Sequence, residues 1–145
     1  MFDQLYGWEY TLLEPNKFWQ CVPDAVKPIY HFFNVPITSQ ASEPHCPLRH
    51  IKSIAREDDF VSFKLDVDTS SVEIPLVLEL VASTELLRLV DEFFFELHFR
   101  CEIMRHCAWG DKMPDKVDWL KLDRVSTLSL FADMRHKGVR AHIWP

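Results

Sequence analysis

One stretch constrains this chain more than any other: Phe60-Val61-Ser62-Phe63-Lys64-Leu65-Asp66-Val67-Asp68-Thr69. Apolar and polar residues alternate along it, the period of a half-buried strand. On an extended backbone Val61, Phe63, Leu65 and Val67 share one face, and Lys64, Asp66 and Asp68 share the other. A second stretch, Leu89-Val90-Asp91-Glu92-Phe93-Phe94-Phe95-Glu96-Leu97-His98, repeats the plan, with Glu96 and His98 closing an apolar run on one face. Two apolar strands that end in acids are what a parallel α/β sheet presents. Such a sheet lines up the C-terminal ends of its strands on one edge, where ligands bind.

The rest of the chain supplies further strands and the helices to cover them. Leu5 to Tyr10 reads as a short strand ending near Glu9. Pro15 opens a short helix carrying Phe18, Trp19 and Val22, which Pro23 stops. Ile29 to Ile37 is a strand rich in aromatic and β-branched residues, and Thr38 to Pro47 is a polar loop. Leu48, Ile51, Ile54 and Ala55 then recur at helical spacing. A helix is expected from about Val72 to Ala82, with Ser70 and Glu73 at capping-box spacing and Pro75 competing with that start. A shorter helical stretch follows Ser83, and Val90 to Leu97 is the next strand. Arg100 to Arg124 is irregular. Thr127 to Lys137 is the best helix signal, with Leu128, Phe131 and Ala132 as its apolar stripe and Gly138 where a C-terminal glycine belongs. Val139 to Trp144 closes the chain as a last strand. Strands alternating with helices imply a three-layer α/β architecture with a mostly parallel, Rossmann-like sheet.

Size and composition narrow the class. At 145 residues and 48% hydrophobic, with 3 glycines, the chain is expected to be one domain with a sizeable core. A net charge of −6 without a basic stripe argues against nucleic acid as a partner. Acids interrupt every apolar run, so no membrane span is expected. No basic start followed by an apolar run marks a signal peptide, which makes a cytoplasmic protein the default. Cys21, Cys46, Cys101 and Cys107 form no paired framework and are expected to be reduced thiols. His98, Cys101, His106 and Cys107 lie close in sequence, but their spacing matches no zinc finger or ribbon, and the same holds for His45, Cys46 and His50. The tryptophans are expected to fill core, apart from Trp109, which follows the strand at 90–97 and is a candidate ligand contact.

Aligned strand ends would gather Asp66, Asp68, Glu96 and His98 on one edge, joined by Glu9. Carboxylates there can accept ribose hydroxyls, hold a divalent cation or take a proton. The bland alternative is ion pairing, with Lys64 neutralising Glu92 or Glu96 across the strands. Asp66-Val67-Asp68 is also a DxD sequence after an apolar strand. Metal-dependent glycosyltransferases use such a pair to hold a cation against a nucleotide-sugar diphosphate.

Lys64-Leu65-Asp66-Val67-Asp68, followed by Val72-Glu73 and an apolar helix, resembles the K-x-D-x-E-G-x-E segment of FkbM-type methyltransferases. Leu89–His98 looks like that family's fifth strand, the 127–137 helix with Gly138-Val139-Arg140 like its following αβ unit, and Tyr6-Gly7-Trp8-Glu9 like its second strand. The resemblance implies an S-adenosylmethionine-dependent O-methyltransferase with a small-molecule or glycan acceptor. Glu9 would bind the cofactor's ribose, with Asp68 and Trp109 also on the cofactor side. Asp66 would lie near donor and acceptor, with Glu96 or His98 as base. Two departures stand out. The family's E-G is Asp68-Thr69 here, and the glycine-rich turn after the first strand has no counterpart among Gly7, Gly110 and Gly138. The chain thus starts at the family's second strand, without the first strand that sits between the second and the fourth.

An open ladder there would leave buried backbone groups unpaired, at about 1–3 kcal/mol each. A preceding segment, another copy of the chain, or direct pairing of the Leu5–Tyr10 strand with the Phe60–Val67 strand would close it, and the direct pairing is the expected solution. Three functions remain in play: a methyltransferase-like domain, a glycosyl-transfer site on Asp66 and Asp68, and a non-catalytic relic of the fold.

Overall fold

A computed structural model describes residues 2–96 and 124–143 of the chain. Five strands form in the described residues, each shorter than the hydrophobic pattern suggests, and every pair of neighbours is parallel. The class is α/β, with helices between parallel strands, as an incomplete Rossmann-like sheet requires. The strands fall into two sheets, and the chain divides into two units, Met1–His50 and Ile51–Pro145.

In the first unit β1 (Leu5–Trp8) pairs in parallel with β2 (Tyr30–Phe33), Leu5 opposite Tyr30 and Trp8 opposite Phe33. The crossover carries α1 (Pro15–Cys21), which Pro15 opens as expected and the Glu14 carboxylate caps by accepting the amides of Asn16 and Lys17. Aromatic rings hold this unit together. Phe18 stacks on Phe32 at 3.9 Å, Trp8 on Phe33 at 5.3 Å, and Tyr6 on His31 at 4.6 Å. Gly7 makes room for a further ring, that of Tyr30, because a Cβ there would come within 2.9 Å of Tyr30 Cε2. β1, the strand expected to pair directly with the Phe60–Val67 segment, takes β2 as its ladder partner, and that direct pairing does not occur. Matched aromatic rows on β1 and β2, joined by a short crossover helix, make the local βαβ partner the better one.

α2 (Pro47–Ile54) follows the polar loop, with Pro47 and Leu48 buried. In the second unit β3 (Ser62–Leu65), β4 (Glu92–Phe95) and β5 (Arg140–Ile143) form a sheet in that order. Asp91 clips its N-terminal edge: the Asp91 carboxylate accepts the Val61 amide at 2.8 Å, and its carbonyl accepts the Arg140 amide at 2.8 Å. Between β3 and β4 run α3 (Ser70–Ala82) and α4 (Thr84–Leu89), separated by Ser83, whose hydroxyl caps α4 by accepting the Leu86 amide. Leu76, Leu80 and Leu86 from these helices are fully buried, as are Phe93 and Phe95 of the central strand and Phe131 and Met134 of α5 (Arg124–His136).

Two local expectations change. The capping box at Ser70 and Glu73 does not form. Thr69 stands at the N-cap without a side-chain capping bond to the helix amides, and the Glu73 carboxylate reaches back past it to the Val67 amide. The stripe expected on α5 is rotated: Phe131 and Met134 are buried, whereas Leu128 is 53% exposed and Ala132 is also exposed. The helix stop is as expected. Gly138 takes φ +97°, its amide bonds Arg135 O at 3.1 Å and the Val139 amide bonds Met134 O at 3.1 Å, the Schellman arrangement. No helix of the described residues is long and apolar enough to cross a membrane.

Candidate functional site

The acids expected at the sheet edge sit just past the strand ends. β3 stops at Leu65, so Asp66 and Asp68 do not continue its alternation; Asp68 takes φ +52°, a left-handed conformation that bends the chain out of the strand. Parallel register does the rest. Lys64 lies opposite Phe94 and Leu65 opposite Phe95, and the Glu96 amide bonds Leu65 O at 3.3 Å. The next residues on the two strands are Asp66 and Glu96, so their carboxyls meet. Oxygens of Asp66, Asp68 and Glu96 lie within 4.8 Å of one another, with Asp66 and Glu96 half-buried and Asp68 exposed. Among the described residues no other group of three or more His, Cys, Asp and Glu side chains is so close; His45, Cys46 and His50 do not form one.

Three carboxylates this close cannot all be ionised cheaply. Glu96 absorbs the conflict: a hydrogen bond to Asp66 raises its carboxyl to about 7, helped by burial and by the charges of Asp66, Asp68 and Glu73. Near neutral pH Glu96 thus carries a proton for part of the time and donates it to Asp66. The Lys64 ammonium pairs with Asp66 at 2.6 Å. This bond runs along its own strand, whereas the alternative of ion pairing set Lys64 against Glu92 or Glu96 across the strands. Glu92 meets His142 of β5 at 3.1 Å instead.

Glu9 lies in the first unit, just past β1. Its amide bonds Phe33 O at 3.1 Å and its carboxylate accepts the Thr11 amide at 2.6 Å. Asn34 pins the same loop, its amide nitrogen donating to the carbonyls of Glu9 and Thr11 while its oxygen accepts the Leu13 amide. A half-buried carboxylate oriented by a backbone amide at a parallel strand's C-terminal end suits ribose hydroxyls. The described glycines serve other ends: Gly7 makes room for Tyr30 and Gly138 ends α5. Neither builds a cofactor turn.

Of the six nominated residues, Asp66, Asp68 and Glu96 come together, and Glu9 stands in the other unit. His98 and Trp109 lie outside the described residues, as do Cys101, His106 and Cys107. Sequence reasoning gave no role to Glu73 beyond helix capping, although its carboxylate is buried behind the acidic turn. The signal available was its place in the first turn of a mostly apolar helix. No protein-family model matches the chain, and no curated protein or solved structure matches it.

Proposed function

We propose that the chain is a methyltransferase-like domain related to S-adenosylmethionine-dependent O-methyltransferases. The observation that carries this reading is the Glu96–Asp66 pair at the C-terminal ends of adjacent parallel strands, with Glu96 raised to about 7. Moving a methyl group to a hydroxyl calls for positioning and for a base whose affinity for a proton matches working pH. Ionised Glu96 would take the acceptor's hydroxyl proton as the oxygen is alkylated, and Asp66 would hold that acceptor by a hydrogen bond. S-adenosylmethionine, when bound, supplies the electrophilic methyl group and leaves as S-adenosylhomocysteine. The resemblance gives its ribose to Glu9, in the first unit, and loss of binding in Glu9→Ala is the separate test of that role. The strand pairing also supports the reading: every ladder among the described residues is parallel, as in such a sheet. Calorimetry with S-adenosylhomocysteine tests the proposal: binding to the wild type that Asp66→Asn abolishes supports it, and a wild type that gives no binding heat rejects it.

A second reading has its own observation. Carboxylate oxygens of Asp66, Asp68 and Glu96 within 4.8 Å of one another make a hard-oxygen set of the kind Mg²⁺ or Mn²⁺ takes, as in metal-dependent nucleotide-sugar transfer. Mn²⁺ titration followed by paramagnetic resonance separates the two. Saturable Mn²⁺ binding that Asp68→Asn abolishes, together with binding of a nucleotide sugar and none of S-adenosylhomocysteine, favours the cation.

A further inference from the structure

Among the described residues of the second unit, Glu73 is the charged residue buried most deeply, at 2% exposure. A carboxylate taken that far from water needs hydrogen bonds in exchange. Its Oε1 accepts the amide of Val67 at 3.0 Å. Val67 is the residue between Asp66 and Asp68, so this bond grips the turn at its midpoint. The carbonyl of Val67 is held as well, by the Thr69 hydroxyl at 3.1 Å. Thr69 O in turn accepts the backbone amides of Val72 at 2.9 Å and Glu73 at 3.0 Å. These bonds close a loop: Glu73 side chain to Val67, Val67 to Thr69, Thr69 back to the Glu73 backbone. Asp68, inside that loop, is the described chain's non-glycine residue with positive φ, a conformation that persists only where surrounding bonds fix it. The first turn of a helix also favours a negative side chain, which suits Glu73 to this place.

We infer that Glu73 is a positioning residue: through Val67 it locks the turn that sets Asp66 and Asp68 against Glu96. This rests on the proposed role of that edge, but its geometry is testable separately. Glutamine at this position keeps an oxygen acceptor for the Val67 amide, whereas alanine removes it.

The experiment compares amide hydrogen exchange in wild type, Glu73→Gln and Glu73→Ala, and titrates each protein with S-adenosylhomocysteine. Glu73→Ala is expected to speed exchange at Val67 at least tenfold and to weaken binding at least tenfold. Phe93 and Phe95 on β4 stay within threefold of wild type. Glu73→Gln is expected to keep both Val67 exchange and affinity within about threefold. The inference is overturned if Glu73→Ala leaves Val67 unchanged, or speeds Val67, Phe93 and Phe95 equally, which marks a general loss of stability. Should Glu73→Ala fail to fold, Glu73→Gln decides. Protected Val67 with unchanged affinity supports positioning, and protected Val67 with affinity lost tenfold overturns it in favour of a direct charge effect. A wild type that binds no S-adenosylhomocysteine removes the proposed function, while the exchange comparison still decides the role of Glu73.

Discussion

Replacing Glu96 by glutamine isolates the electrostatic conflict at the strand ends. Glutamine keeps the length of the side chain and can still donate to Asp66, so it imitates protonated Glu96 at every pH. In the wild type the folded protein holds this proton up to about pH 7, whereas an unfolded glutamate releases it near 4.5. Folded chains therefore bind more protons than unfolded ones between those values, and stability falls as pH rises across that window. Above about pH 7 no further loss arises from this group. A displacement of this size corresponds to about 3 kcal/mol if unscreened, and water around a half-buried carboxyl reduces the expected effect to about 1–2 kcal/mol. Two measurements check it. The carboxyl ¹³C shift of Glu96 should titrate near 7. Urea unfolding at pH 5, 6, 7 and 8 should show the wild type losing stability relative to Glu96→Gln as pH rises, since the difference cancels every other titrating group. A Glu96 midpoint near 4.5, or a stability difference that does not change with pH, refutes the reasoning.

Other sites give independent checks. Gly7→Ala drives a Cβ into the Tyr30 ring, which Phe18, Trp19 and Phe32 hold in place, and should destabilise the first unit by about 1–3 kcal/mol in denaturant unfolding. His50 shows the opposite pH sign to Glu96. Burial first, and then the nearby His31, lowers its proton affinity, so its contribution is present above pH 6.5 and lost as pH falls. Its ring meets Tyr6, Trp8 and Phe33, so His50→Gln should cost stability at pH 8 through lost packing, yet lose less than the wild type between pH 7 and 5. Unfolding curves at those three pH values read both effects.

Much of the fold was legible because its signals are local. Alternation located β3, the run of phenylalanines located β4, Pro15 opened α1, and Gly138 stopped α5 where its positive φ was needed. The meeting of Asp66 and Glu96 was also foreseeable, because parallel strands of equal apolar length bring their following residues together. What escaped is decided by distant parts of the chain. A choice of ladder partner depends on side chains packed across 25 residues of sequence, and the aromatic stacks between β1 and β2 outweighed the open-ladder argument that favoured β3. The turn at Asp68 escaped because alternation says nothing of where a strand stops. Glu73 escaped because a sequence shows a glutamate at a helix start but not that its side chain turns back to a strand end.

The most direct test of a ligand-binding carboxylate edge is calorimetric titration of the chain with S-adenosylhomocysteine at pH 7, in parallel for wild type and Asp66→Asn. Saturable binding to the wild type, weakened at least tenfold by the asparagine, is the expected result. No binding to the wild type, or equal binding to both proteins, contradicts it.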